Sequence, residues 1–474
     1  MPGLFGTLDM GTRALQAQRQ GVEVTGQNLA NVNNPAYARQ RLIMRASSSQ
    51  SGSMGSQGTG VQAVSIQQLR DTLNDRQIRS ETSVSGFLSR QQSALQNGQA
   101  LLGETLQQDP QTGTITGVAT SGSNGILSQV NNLFNSFQSL STSPASQTAR
   151  QSVLNASQEL AARLRSASGR LSDLSGSLND SITADTTKTN SLITDIADLN
   201  NQIVQAEAGT GSTANDLRDL RQQKLEGLSS LVDYNTADNP DGSVNITIGG
   251  NLLVSGGDVL DTLQTYDPGS GSLMLRTAST NTPVSLTGGS IQGAIEVRDG
   301  ALKDLQSGLN SLARSLITEI NQVHRSGYDL SGNTGADLLT GTSAANISVN
   351  AAIVADPRKL QASGDPTAAG DNQTALALAR LSSQPITSLG QQTFAQQYTA
   401  SVTSLGQALN STNTRIDDQS IVQSMLLAQR DSVSGVSVDE EMTNMMKYQK
   451  AFEASARLVT TVSEMLDSVI NLKR

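Results

Sequence analysis

The chain has 474 residues, of which 36% are hydrophobic, 15% charged and 3% aromatic, and its formal net charge is −9. An acidic chain without a basic stripe does not fit a nucleic-acid-binding protein, so we expect no nucleic acid among its partners. The absence of cysteine excludes disulfides, thiolate catalysis and cysteine-based zinc sites, and a single histidine, His324, excludes histidine-rich metal sites.

The chain also lacks the patterns of membrane and signal segments. No stretch approaches the roughly 18 uninterrupted apolar residues of a membrane span, so we expect no membrane insertion. Residues 1–9 lack the basic region followed by an apolar region that marks a cleaved secretory signal. We therefore expect either a cytoplasmic protein or export by another route.

Residues 4–29 predict an amphipathic helix. Positions alternately four and three residues apart carry mostly apolar side chains, which is the spacing of a helix that faces a partner helix. The helix should end near residues 31–35, because Asn-Asn-Pro favours a turn and the residue before proline avoids the helical region. The predicted contact residues are Leu4, Leu8, Leu15, Val22 and Leu29.

Glycines at positions 6, 11, 21 and 26 weaken this predicted helix. Each interior glycine costs about 1 kcal/mol relative to alanine, so the helix should be stable only on a partner. We therefore predict that both termini are disordered in the free monomer and become ordered on assembly. Sharp, dispersed NMR signals from residues 4–30 of the monomer would contradict this prediction.

Between the two ends, most of the chain predicts a long helical bundle, because apolar residues recur at helical spacing. Two stretches depart from this pattern, one with short alternating strands between glycine turns and one rich in Gly, Ser, Asn and Asp. The predicted fold class is mainly α with an inserted β domain. The predicted domains are 61–231 with 298–325 and 373–430 as a helical rod domain, 232–297 as the inserted β domain, and 326–372 as a loop- and strand-rich segment.

The C-terminal residues predict a second long helix with the same spacing. Its start carries the pattern of a capping box, with Ser437 as N-cap and Glu440 three residues later. The predicted contact residues are Val438, Met442, Met445, Phe452, Val459, Leu466 and Ile470. Either each end packs on an ordinary globular core, or the two ends, 1–60 and 431–474, pair as an α-helical coiled coil. The length of the two patterns favours the pairing.

The motifs that could carry chemistry are weak. Residues 209–214 are rich in glycine but follow a helix and lack the Gly-Lys-Ser/Thr of a phosphate loop. The acids at 439–441 are better explained by the positive end of a helix than by a metal site. We expect His324 to satisfy the last carbonyls of a helix. The sequence therefore predicts no enzyme, no catalytic residue, no metal site and no cofactor.

Several segments are similar to one protein family. Residues 26–40 contain Ala-Asn-Val-Asn-Asn-Pro and resemble a signature of the flagellar rod, hook and junction proteins, together called the flagellar axial proteins. Ala36 departs from this signature, where the family commonly has glycine. Segments that resemble the hook–filament junction proteins in particular are 215–217, 321–324, 327–329, 435–442 and 448–457.

This resemblance implies a structural subunit that is exported unfolded through the flagellar type III apparatus and stays extracellular, in the flagellum. It implies a ring of subunits whose paired terminal helices line the central channel. The partners that it implies are hook protein on one side, a second junction protein or flagellin on the other, and an export chaperone that covers the C-terminal segment before secretion.

Other functions stay open at this stage. A hook or distal-rod protein shares the terminal signatures, whereas flagellin lacks the Ala-Asn-Val-Asn-Asn-Pro segment. A secreted adhesin or hydrolase would use the inserted β domain as its active part. An activity screen of the insert, with and without Asp241 and Asp258, would test that alternative, and we expect no activity.

Overall fold

The computed structural model of the chain describes residues 3–52, 55–104, 106–109, 115–118, 125–209 and 213–471. Long helices dominate this part of the chain. They are α1 Leu4–Ala30, α2 Thr72–Leu102, α3 Ile126–Thr142, α4 Gln147–Glu207, α5 Asn215–Ser229, α6 Gly289–Val297, α7 Lys303–Arg325, α8 Ala351–Ala355, α9 Gln373–Arg380, α10 Phe394–Ser434 and α11 Val438–Asn471. None of the described helices is long and apolar enough to cross a membrane.

The strands form small antiparallel sheets between these helices. They are β1 Gln40–Ala46, β2 Gln50–Gly52, β3 Gly55–Gln57, β4 Val61–Gln68, β5 Leu106–Gln108, β6 Ile115–Val118, β7 Asn235–Asp238, β8 Val244–Ile248, β9 Asn251–Ser255, β10 Asp258–Val259, β11 Leu263–Tyr266, β12 Met274–Thr277, β13 Leu339–Thr340 and β14 Ser348–Val349. The observed fold confirms the predicted class, mainly α with an inserted β region.

The helical body, which we define as α2–α7, α9 and the first half of α10, is organised around α4. This helix runs for 61 residues, about 90 Å at 1.5 Å per residue, and its N-cap Ser146 accepts a hydrogen bond from Ala149 N. Leu160 and Leu164 belong to its buried stripe. Because the neighbouring helices carry matching stripes, they share one continuous apolar core with α4.

The inserted β region packs on the C-terminal half of α4. Its larger sheet has the strand order β10-β9-β8-β7, and β11 pairs with β12. Val244, Ile246 and Ile248 are buried while the residues between them are half-buried, which is the alternation expected of a strand on a core. Asn200 of α4 donates hydrogen bonds to the carbonyls of Val244 and Gly256 and so ties the sheet to the helix.

Polar side chains hold the segment 326–372 against the body. His324 lies in the last turn of α7 and is fully buried, and its Nδ1 lies 2.8 Å from the Ala336 carbonyl oxygen while Nε2 accepts from Gln361 N at 2.9 Å. Burial lowers the pKa of His324 to about 4, so the ring is neutral near pH 7. The expectation that it caps the carbonyls of its own helix was wrong, because its partners belong to the following segment.

The sheet that follows α1 was not predicted from the sequence. After α1 the chain turns into β1, which pairs with β4 in the register Leu42 to Ile66 and lies against α1. The short alternation in these strands is broken by polar residues on both faces, so periodicity gives only a weak signal there.

Candidate assembly interface

The terminal pair, α1 with α11, meets through glycines. A Cβ atom built on Gly11 would lie 2.7 Å from Val459 Cγ2, and one built on Gly21 would lie 2.6 Å from the Tyr448 ring. Both distances are shorter than a carbon–carbon contact, so only glycine lets the two helices approach this closely. Gly26 differs, because nothing lies within 4 Å of its Cβ position.

The predicted contact residues lie in two environments, because some are half-buried and others are exposed. The apolar residues predicted on α1 are all half-buried: Leu4, Leu8, Leu15, Val22 and Leu29. On α11, Met445, Val459 and Leu466 are half-buried, whereas the residues left exposed are Val438, Met442, Phe452 and Ile470. The face of α11 that α1 covers includes Tyr448 and Val459, so it shares Val459 with the predicted contact residues.

The exposed residues belong to a larger surface, which we call the α10–α11 apolar surface. It follows the end of α10 and most of α11, and its large side chains are more than one third exposed. Its members are Ile421, Met425, Leu427, Val433, Val438, Met442, Met446, Phe452, Leu458, Met465, Val469 and Ile470. A series of large exposed apolar side chains on this scale marks a surface that contacts another protein.

The start of α11 carries a buried ion pair. The Glu441 side chain is 2% exposed, and its Oε1 accepts from Arg39 Nη2 at 2.7 Å and Nε at 2.9 Å. Its Oε2 accepts from Asn28 Nδ2 at 3.0 Å. A buried carboxylate is stable only with such partners. Ser437 Oγ lies 3.5 Å from the Glu440 backbone nitrogen, and the Glu440 carboxylate contacts Arg39 Nη1 at 2.7 Å.

Asn28 organises the turn that follows α1. Its Oδ1 accepts from Tyr37 Oη at 2.8 Å and from Gln40 N at 2.9 Å, while its Nδ2 donates to the Gln40 carbonyl at 2.8 Å. One buried amide thus satisfies the backbone where the chain enters β1. Burial and the nearby carboxylates, Asp216 first, raise the pKa of Tyr37, so this hydroxyl remains a donor at neutral pH.

The same turn is bound to the helical body. Ala38 N donates to Asp219 Oδ2 at 3.2 Å, and Asp219 Oδ1 accepts from Arg70 Nη2 at 2.6 Å. Arg39 N donates to the Ser434 carbonyl at 2.9 Å, where α10 ends. Burial raises the pKa of Asp219 to about 6, against the opposing effect of Arg70.

We call this network the polar junction: Asn28, Tyr37, Arg39, Arg70, Asp219 and Glu441. It connects α1, α5, α10 and α11 at one point. Sequence reasoning assigned the acids at 439–441 to helix electrostatics and missed the pairing with Arg39. The available signal was that Asn28, Arg39 and Glu441 all lie in segments that resemble the flagellar axial proteins.

The described residues offer no site for metal chemistry. No group of three or more His, Asp or Glu residues among them could hold a metal ion. The glycine-rich loop at 209–214 includes residues 210–212, which lie outside the described ranges. The geometry at the chain ends therefore concerns packing and ion pairing.

Comparison with known proteins identifies two family models along the chain. Residues 113–339 match the helical domain of the flagellar hook-associated protein FlgK, and residues 427–472 match the C-terminal model of the flagellar basal body rod proteins FlgEFG. The second match covers the end of α10 and α11. It therefore contains most of the α10–α11 apolar surface.

Known relatives match along nearly the whole chain. Flagellar hook-associated protein 1 of Bacillus subtilis is 30% identical over 99% of this chain and 99% of its own length. Flagellar hook-associated protein 1 of Escherichia coli is 22% identical over 97% of this chain and 98% of its own length. A solved structure, the flagellar hook junction protein FlgK from Burkholderia pseudomallei, is similar in fold with a TM-score of 0.64 at 17% identity, and the match covers 76% of this chain and all of that one.

These matches exclude the secreted hydrolase considered from the sequence, and the full-length relatives favour a junction protein over a hook or rod protein. The chain belongs to the flagellar hook-associated protein 1 family, whose members are structural proteins of the flagellar hook–filament junction and not enzymes.

Proposed function

We propose that this chain is exported unfolded and assembles into a ring through its paired terminal helices, outside the cell. The observation that carries the proposal is the α10–α11 apolar surface, which stays exposed while the helical body buries its apolar side chains. Burying exposed apolar area stabilises association by about 25 cal/mol per Å² before the costs of ordering. Neighbouring copies would cover this surface in the ring.

The partners follow from the position of such a ring in the flagellum. Hook protein would contact the ring on one side, and a second junction protein or flagellin would contact it on the other. The inserted β region packs on α4 and contributes none of the residues of the terminal pair, so it would belong to the outer part of the ring. The domain boundaries proposed from the sequence would separate an assembling end, residues 1–60 with 431–474, from an outer part formed by the residues between them.

An export chaperone would cover the C-terminal segment before secretion. Met442, Phe452 and Met465 are exposed on α11 even when α1 is paired with it, and they would be still more accessible in an unfolded chain. Apolar segments of this kind aggregate unless another protein covers them. A chaperone with an apolar groove for a helix would meet this need.

The test is deletion of the gene, followed by electron microscopy of the cells. We expect hooks without filaments and flagellin in the medium, and a plasmid copy of the gene should restore filaments. Loss of the hooks as well would indicate a rod or hook protein. Intact filaments would contradict the proposed function.

A further inference from the structure

A cleft of about 320 Å³ lies where α2 and α5 meet the inserted β region. We call it the arginine cleft, because its lining includes Arg70, Arg76, Arg79, Arg218 and Arg221. The carboxylates that line it are Asp75 and Asp238. None of its lining residues belongs to the α10–α11 apolar surface, and the proposed assembly does not use it.

Two of these arginines are neutralised by carboxylates. Arg70 binds Asp75 at 3.1 Å and Asp219 at 2.6 Å. Arg218 forms a bidentate pair with Glu207, with Nε and Nη2 each 2.7 Å from a carboxylate oxygen. Their positive charges are therefore compensated within the chain.

The other three arginines retain positive charge. Arg79 donates to Gln222 Oε1 at 2.8 Å and to Thr236 Oγ1 at 3.2 Å, which are neutral acceptors. Arg221 is buried, and its acceptors among the described residues are the neutral oxygens of Asn200 and Gly242. No carboxylate of the described residues forms an ion pair with Arg79 or Arg221. Arg76 lies 3.9 Å from Asp238, and both side chains are more than half exposed, so this pair compensates little.

Two further features fit an anion site: close positive charges and a hydroxyl without a partner. Burial, followed by the nearby charge of Arg218, lowers the pKa of Arg221 to about 10. Arg76 and Arg79 also line an adjoining cleft of about 450 Å³ that contains Ser83. Ser83 Oγ is buried and has no hydrogen-bond partner among the described residues, so it is free to donate to a bound oxygen.

We propose that Arg79, with Arg76 and Arg221, binds a tetrahedral oxyanion of the phosphate class. A guanidinium presents parallel N–H donors that match two oxygens of such a group. Arg79 lies on α2 and Arg221 on α5, while Thr236, whose hydroxyl lies 3.2 Å from Arg79 Nη2, belongs to β7, so an oxyanion bound to Arg79 lies where the helical body meets the inserted β region. The oxyanion then stabilises the connection between these two parts.

The test measures binding of inorganic phosphate to the full chain by titration calorimetry, at constant ionic strength with chloride as the balancing anion. We expect saturable binding and slower amide hydrogen exchange in residues 235–244. Arg79→Gln should raise the Kd about tenfold or more, because it removes charged hydrogen bonds to the anion. Arg19→Gln is the matched control, since it removes the same charge from an exposed position on α1 and should leave the Kd unchanged.

Arg76→Gln is a second variant, which keeps the test valid if Arg79→Gln does not fold. Arg76 is exposed, so the substitution should leave the fold intact. It should also raise the Kd for phosphate. Sulfate should compete with phosphate, and acetate should not. The proposal is overturned if phosphate does not bind beyond chloride, if both cleft variants bind as well as Arg19→Gln, or if acetate binds as tightly.

Discussion

The helical body and the terminal pair are both built from long helices, but they differ in how they use apolar side chains. In the body, Leu160, Leu164 and Ile193 are at most 1% exposed and belong to one core. In the described residues of α11, the only buried apolar side chain is Val462. The body therefore holds its stabilising contacts within one chain, whereas the terminal pair keeps most of its apolar area available to other chains.

The comparison predicts the largest loss of stability for a cavity in the body. Phe137 is fully buried and lies 6.3 Å from the Phe134 ring centroid. Phe137→Ala should lower the free energy of unfolding by about 3–5 kcal/mol, measured by chemical denaturation. Phe5→Ala makes the same substitution in the terminal pair, where the ring is 74% exposed, and should change it by less than about 0.5 kcal/mol. Equal losses would contradict a terminal pair whose apolar side chains add little to the stability of the single chain.

Lowering the pH should reduce the free energy of unfolding of the helical body through protonation of His324. The pKa of His324 is lowered to about 4 in the folded chain from about 6.5 in the unfolded chain, so the unfolded chain binds more protons between these values. Stability from this group is therefore fully present above pH 6.5 and is lost as the pH falls towards 4. The loss should be about 3 kcal/mol.

The control for this titration is His324→Gln, which removes the titrating group. Asp219 has a pKa raised to about 6 and acts in the opposite direction, so only the difference between wild type and variant isolates His324. Unfolding free energies of the two proteins should diverge less at pH 4 than at pH 7. Parallel pH profiles would rule out the neutral, buried ring as the source of the effect.

The polar junction should be the set of contacts through which the helical body stabilises the terminal pair. Glu441→Gln keeps the shape of the side chain but removes the charge that faces Arg39, and should cost about 1.5–3 kcal/mol of local stability. Amide hydrogen exchange in α1 and α11 should accelerate, while exchange in α4 stays unchanged. Glu453→Gln is the control, because Glu453 forms an exposed pair within α11. Faster exchange throughout α4 would mean that the two regions unfold as one.

Two glycine variants of α1 should have opposite effects on the terminal pair. Gly21→Ala places a methyl group against the Tyr448 ring and should destabilise the pairing by about 1–2 kcal/mol through overpacking. Gly26→Ala meets open space and should stabilise α1 by up to about 1 kcal/mol, because alanine favours the helix. Hydrogen exchange of α1 measures both. Stabilisation by both variants would show that the glycines do not mediate the contact.

The comparison also explains which features could be predicted from sequence. The strands around Val244–Ile248 and the long terminal helices follow from periodicity and turn residues, which are local signals. The face of α11 that packs on α1 could be predicted only in part, with Val459 but without Tyr448, because apolar residues occupy more than one face of this helix. The pairing of Arg39 with Glu441 joins residues 402 positions apart, and no local pattern encodes such a contact. The sequence predicts only that the glycines weaken the helix, although Gly11 and Gly21 also form the contact.

A substitution on the exposed surface of α11 should have the smallest effect on folding and the largest effect on assembly. Met465 is 51% exposed on α11, so Met465→Asp should change the free energy of unfolding by less than about 0.5 kcal/mol. If neighbouring copies cover this surface, the buried carboxylate has no partner and filaments should be lost in a complementation assay. Leu260→Asp makes a similar change at a 53% exposed position in the inserted β region and should leave filaments intact. Normal filaments from Met465→Asp would contradict assembly through this part of the surface, whereas loss of filaments in both variants would point to a general defect. Only loss confined to Met465→Asp supports a terminal pair that is built for contacts between chains.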